Sequence, residues 1–149
     1  IGPGKDVRNE TLSQVTVEFP RFDYRRRAGK RYRYVYGAGN KVPGNFIDNL
    51  VKLDLEQGTA LSWYEEGCYP GEPVFVSKPE AANEDDGVIL SVVLDVRKAT
   101  SFLLMLDASL FTELARAEAP HHIPFGFHGD YLAEVSGSAS SASLLRARP

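Results

Sequence analysis

The chain has 149 residues, 43% hydrophobic and 25% charged, an ordinary mix for one soluble globular domain. Its net charge of −3 carries no nucleic-acid signature, and no run reaches the roughly 18 apolar residues of a membrane-spanning helix. The single cysteine, Cys68, excludes an intrachain disulfide and fits a reducing compartment, so the expected location is the cytoplasm, with peripheral membrane contact left open.

The chain opens Ile1-Gly2-Pro3-Gly4 rather than on methionine and reads as a piece of something longer. Charge is unevenly spread: residues 1–41 hold ten Lys/Arg and four Asp/Glu, and the remainder holds seven and sixteen. Residues 1–13 read as a polar loop. From Gln14 to Phe19 apolar Val15, Val17 and Phe19 alternate with Thr16 and Glu18, the period of a strand, which Pro20 is expected to end. On this local pattern Glu18 is a solvent-facing carboxylate. Arg25 to Arg31 reads as a hairpin tip turning at Gly29, followed by a strand in which Tyr32, Tyr34 and Tyr36 alternate with Arg31, Arg33 and Val35. Basic residues among tyrosines could bind phosphate or anionic lipid, but such a pattern is more often a solvated strand face with arginine stems lying over rings.

Leu50–Leu55 and Ala60–Tyr64 form two strands joined by a short loop containing Gly58. Glu72 follows a Pro-Gly turn and precedes Pro73, at the mouth of the buried-looking strand Val74-Phe75-Val76. The acidic turn Asn83-Glu84-Asp85-Asp86-Gly87 lacks the alternating ligands of an EF-hand, which argues against calcium. Val88–Val96 and Ser101–Leu106 are apolar enough for central strands. Residues 110–119 have helical propensity, yet the recurrence of strands every 10–15 residues favours a turn through Ser109-Leu110-Phe111 and a strand from Leu114 to Ala119. Residues 136–149 are low-complexity and expected to be disordered, which leaves 1–135 as the folded part.

Short strands and little helix make an all-β architecture. Pattern alone leaves sandwich, barrel and propeller open, although strands near 74–77, 88–96, 101–107 and 114–119 group into a unit the size of a propeller blade. All three histidines lie in His121-His122-Ile123-Pro124-Phe125-Gly126-Phe127-His128-Gly129. His128 sits between an aromatic and a glycine, a setting that suits either a metal ligand or a packed core histidine.

Five ordered segments resemble the C-terminal part of the carotenoid cleavage oxygenases: Val17-Glu18-Phe19-Pro20-Arg21, Tyr69–Val76, Glu84–Gly87, Leu114–Ala117 and Ile123–Gly129. The resemblance covers roughly residues 14–132, and the Glu-Asp-Asp-Gly and Ala-Arg-Ala pieces are most like the β-carotene oxygenase and retinoid isomerohydrolase branch. It implies a seven-bladed β-propeller, incomplete in this chain, around a non-haem Fe(II) held by four histidines. His128 matches the last iron ligand. Glu18 and Glu72 match carboxylates that orient ligand histidines, while His121 and His122 match no ligand. Phe125 and Phe127 are candidates for the wall of a tunnel that takes an apolar polyene.

The resemblance therefore implies the C-terminal portion of an oxygenase that cleaves a carotenoid or apocarotenoid with O₂ into carbonyl products such as retinal. Retinoid ester isomerohydrolysis on the same fold, or a non-catalytic remnant acting as an interaction module, are the alternatives. With one ligand and too few blades to close a ring, the chain alone is expected to be inactive and to need the missing N-terminal part of the propeller. Alone, it is also expected to expose long apolar edges such as Val88–Val96.

Overall fold

A computed structural model describes residues 9–132. The segment 136–149 and the boundary at residue 135 lie outside the described residues. Two antiparallel sheets follow one another along the chain. The first contains β1 (Glu18–Arg21), β2 (Tyr34–Gly39), β3 (Asn49–Asp54) and β4 (Thr59–Tyr64), in that spatial order. The second contains β5 (Cys68–Pro70), β6 (Val74–Ser77), β7 (Gly87–Asp95), β8 (Thr100–Asp107) and β9 (Glu113–Glu118). Its order is β5-β7-β8-β9, with β6 also paired to β7. The first sheet is a meander of sequential neighbours, and the second is one as well once β5 and β6, end to end along one edge of β7, are taken as a single interrupted strand; this is the plan of a propeller blade. The expected four-stranded unit is present, including β9, which pairs with β8 in place of the helix its propensities favour. No described helix is long and apolar enough to cross a membrane.

The sheets pack face to face. Tyr36, Leu50, Ile89, Val93, Phe102, Leu104 and Leu106 are all buried between them, and the Tyr36 ring stacks on Phe75 at 5.3 Å. Each such side chain contributes about 1.5–3 kcal/mol of burial. In β7 the buried Ile89, Ser91 and Val93 alternate with Leu90, Val92 and Leu94, so the strand is apolar on its outer face too. A sheet apolar on both faces is one built to be covered on both sides, as a blade inside a ring is.

β5 and β6 follow one another along the same edge of β7. Pro70 lies opposite Val93 and Val74 opposite Leu90, so four steps on the edge span three on its partner, a bulge centred on Gly71 and Glu72. Gly71 N–H donates to the Val92 carbonyl at 2.8 Å and Ser91 Oγ to the Gly71 carbonyl at 3.0 Å. Pro70 and Pro73 have no N–H to give, which an edge tolerates.

Several local expectations change. Pro20 lies within β1 rather than ending it, because β1 is an edge strand. Phe19 takes φ +52, and the register with β2 shifts between Glu18 and Arg21, which breaks the simple alternation of Val15, Val17 and Phe19. The predicted hairpin tip holds a single helical turn, α1 (Tyr24–Arg27), capped by Asp23, whose carboxylate accepts from Arg26 N–H. Gly29 does supply the left-handed turn, at φ +72. Tyr32 precedes β2 and stacks on Phe22 with centroids 4.4 Å apart. Val88–Val96 is no edge: β7 has neighbours on both sides, so the exposed apolar surface is a face, with Val92 and Leu103 each 40% exposed.

The basic segment and the acidic turn find each other. Arg26 donates to the carbonyls of Ala81, Asn83 and Glu84, while Glu84 Oε1 accepts the N–H groups of Arg33 and Tyr34 at 2.7 and 2.8 Å. Lys52 Nζ, buried, lies 2.7 Å from Asp85 Oδ2 and over the Tyr34 ring. These ties join the two sheets and account for much of the charge asymmetry without a nucleic acid or lipid. Asp85→Ala leaves the Lys52 ammonium buried without its counter-charge. It is expected to cost about 3–5 kcal/mol, read as a fall in the denaturation midpoint of the whole protein. Lys98→Ala breaks the exposed pair with Glu118 and should cost no more than about 1 kcal/mol.

Candidate functional site

Edge strand β1 carries both Pro20 and Glu18, and the bulge between β5 and β6 carries Glu72 between Pro70 and Pro73. Gly37 and Gly39 of β2 let the β1 side lie close: a Cβ at Gly39 would stand 2.7 Å from the Thr16 carbonyl oxygen, and one at Gly37 2.9 Å from that of Glu18. From β1 the Arg21 side chain reaches the bulge between β5 and β6 in the second sheet. The C-terminal segment, held by Ile123 N–H on Ser101 Oγ at 2.9 Å and Ser101 N–H on the His121 carbonyl at 3.1 Å, runs back to the same point.

Glu72 is the centre of this meeting. Its side chain is 6% exposed. Oε1 lies 3.1 Å from His128 Nδ1, and Oε2 accepts Gly129 N–H at 2.8 Å and Arg21 Nη2–H at 3.2 Å. Arg21 Nε is also 3.0 Å from Oε1, an ion-pair distance, but its N–H does not point at the oxygen and makes no hydrogen bond. Arg21 Nη2 donates in addition to the Gly129 carbonyl. A carboxylate can only accept, so His128 presents Nδ1–H to Glu72 and its Nε2 carries the free lone pair. The imidazole is 66% exposed, so that nitrogen is open to a partner from outside the chain.

The aromatic setting is specific. Phe127 stands edge-on to His128 at 4.9 Å, and Phe19 edge-on to Phe127 at 5.3 Å and to His128 at 6.0 Å. The left-handed backbone at Phe19, unusual for an aromatic residue, aims its ring into this group. Beside His128 opens a cleft of about 400 Å³, floored by Leu90, Val92, Leu94 and Leu103 and walled by Phe125 and Phe127. That is an apolar cleft with few polar groups, the usual build of a small-molecule site.

The predicted residues divide accordingly. Glu72, His128, Phe125 and Phe127 come together. Glu18 does not join them: it is exposed, and its side chain makes no hydrogen bond or ion pair among the described residues. His121 and His122 are exposed loop residues, as expected. Sequence reasoning missed Arg21 and Phe19 as members of the site. Both lie inside the Val-Glu-Phe-Pro-Arg segment, and a cation three residues from a suspected metal-orienting carboxylate was the available signal.

The donor chemistry here fits a divalent transition metal: a neutral imidazole with one nitrogen fixed by a buried carboxylate and the other free. One imidazole does not complete a site. Among the described residues the grouping with enough ligand atoms is elsewhere, at Glu65, Cys68 and Asp95. Arginines already occupy it. Arg97 bonds Glu65, Asp95 and Cys68, and Arg116 bonds Glu65. Burial pushes the Cys68 thiol up to about 11, and hydrogen bonds from Arg116 and Arg97 hold the Glu65 carboxyl below its usual range. A cation would have to displace two guanidinium groups, so this cluster is an ion-pair network.

Blade-like antiparallel sheets that follow one another along the chain and pack on a shared core define part of a β-propeller. A family model described as "Retinal pigment epithelial membrane protein" matches residues 2–133, and the chain belongs to that family, the family of the carotenoid-cleaving dioxygenases. It is 49% identical over 118 residues to a mitochondrial carotenoid-cleaving dioxygenase of Mustela putorius furo, covering 78% of this chain and 21% of that protein. It is 44% identical over 106 residues to the chloroplastic carotenoid cleavage dioxygenase 8 homolog A of Oryza sativa subsp. japonica, covering 71% of this chain and 19% of that one. Among solved structures, an ACO/RPE65 chimera superposes with a TM-score of 0.77 at 31% identity, over 83% of this chain and 26% of that one. A cobalt-substituted Synechocystis ACO gives 0.73 at 30% identity, over 78% and 25%. The chain thus spans about a fifth of the length of the curated relatives it matches, and its fold is that of propeller blades, incomplete here.

Proposed function

We propose that the chain is the C-terminal portion of an Fe(II)-dependent oxygenase that adds O₂ across a conjugated C=C of a carotenoid or apocarotenoid. Both oxygen atoms enter the products, and the double bond becomes two carbonyl groups, as in retinal from β-carotene. The observation that carries this reading is the Glu72–His128 pair, 3.1 Å apart, with the second imidazole nitrogen free. When bound, iron supplies the activation of O₂; three further histidines would come from the missing N-terminal part of the propeller.

The chain's own residues hold and orient. Glu72 keeps the His128 ring in one tautomer and raises its basicity. Glu18, exposed on the neighbouring edge strand, suits the same task for a histidine that this chain lacks. Phe125 and Phe127 exclude water beside His128 and offer an apolar wall to a polyene, which has no charged handle to recognise. The names of the matched relatives support cleavage over ester isomerohydrolysis, and the assembled Glu72–His128 pair supports an enzyme over a non-catalytic remnant.

The test is anaerobic and aerobic incubation of the full-length protein with β-carotene and with an apocarotenal, with products resolved by chromatography. Oxygen-dependent bleaching that yields paired carbonyl products is expected, together with stoichiometric iron. Iron-free protein that cleaves equally well, or hydrolysis of a retinyl ester without polyene cleavage, would overturn the reading.

A further inference from the structure

We infer that Arg21 is a positioning residue for His128, acting through Glu72 and through the backbone of Gly129; the inference rests on the reading of His128 as a metal ligand. The geometry is a closed loop of hydrogen bonds. Glu72 Oε2 takes Gly129 N–H at 2.8 Å and Arg21 Nη2–H at 3.2 Å, and the same Nη2 donates to the Gly129 carbonyl. Both backbone polar groups of the residue after His128 are therefore held, one by the anion and one by the cation of a single ion pair. The ring itself is held at Nδ1 by the other oxygen of that anion.

Little else holds the ring. It is 66% exposed, and its aromatic neighbours touch it edge-on, which limits tilt but not rotation about the Cα–Cβ bond. Its direction therefore depends on where the Glu72 carboxylate points. That carboxylate is 6% exposed on a bulge between two prolines, and without a counter-ion it would be a buried charge free to turn. A guanidinium suits the place because its planar fork can face a carboxylate while spending a further N–H on a carbonyl. The Tyr24 ring, 5.8 Å from Arg21 Cζ, supports the cation from one side. Three parts of the chain separated by 51 and 108 residues, namely β1, the edge bulge and the C-terminal segment, are locked at this one point.

The role separates from a merely structural salt bridge by what it should change. We would load the full-length protein with Co(II) as the probe and read cobalt affinity, the cobalt ligand-field absorption and the thermal midpoint. Arg21→Met is expected to weaken cobalt binding by about 10–100-fold and to shift the absorption of the cobalt that remains. Arg21→Lys keeps the charge but loses the fork and should fall between. Arg27→Met, which breaks the ion pair with Glu84 away from the site, should lower the midpoint and leave affinity and spectrum unchanged. Wild-type affinity and spectrum in both Arg21 variants would overturn the inference; should Arg21→Met not fold, Arg21→Lys decides in the same terms. His128→Ala is the control: cobalt bound unchanged in that variant defeats the ligand reading and this inference with it, whereas His128-dependent cobalt that ignores Arg21 defeats this inference alone.

Discussion

His128→Ala in the full-length protein is expected to abolish iron-dependent cleavage, with iron content falling toward background, while His121→Ala and His122→Ala keep most of both. The difference is one of setting. The His128 ring is fixed at Nδ1 by a buried carboxylate and has its other nitrogen free beside an apolar cleft. His121 contributes its backbone carbonyl to Ser101, and neither its ring nor that of His122 makes a hydrogen bond among the described residues. As neighbours on an extended chain the two rings point to opposite sides, so one metal cannot readily take both. Metal analysis of the three variants separates this from a zinc site built locally from the histidine-rich segment. Loss of metal from His122→Ala as complete as from His128→Ala would establish the local site and remove the ligand assignment.

Glu72→Gln is expected to reduce metal retention or turnover by about 10–100-fold. The carboxylate receives three donors, from His128, Gly129 and Arg21. An amide of the same size has one acceptor oxygen and turns its NH₂ toward another donor, so at least one of the three bonds becomes a repulsion. The partly buried Arg21 guanidinium then also lacks its counter-charge. A control is needed at a carboxylate without such partners. Glu84 does not serve, because it accepts the backbone N–H groups of Arg33 and Tyr34 at the start of β2 and its loss would loosen the contact between the sheets. Glu66, exposed and unpaired among the described residues, does serve, and Glu66→Gln should leave iron content and rate within about twofold. Equal losses from Glu72→Gln and Glu66→Gln would end the assignment of Glu72.

Residue patterns alone determined the all-β class and most of the strands. Alternation and apolar runs set β3, β4, β7 and β8, because a side chain's face in a strand depends on its own position and needs no knowledge of the partner. Gly58 and Gly29 marked their turns because positive φ is a local demand that glycine meets. The ordered segments identified the family, and with it His128 as a candidate ligand and Glu18 and Glu72 as candidate orienting carboxylates, without saying which carboxylate faces which histidine. What only the tertiary structure decided lies in contacts between distant residues. Arg25 to Arg31 looked like a hairpin tip, but α1 forms there because Asp23 caps it and Arg26 reaches carbonyls 55 to 58 residues away. The run Val88–Val96 reads as a central strand, and pairing on both sides makes it one, so the apolar surface it leaves exposed is a face and not an edge. Glu72 meets His128 across 56 residues and Arg21 meets Gly129 across 108. The bulge that turns Glu72 toward them is a mismatch in register between two strands, which neither strand carries alone.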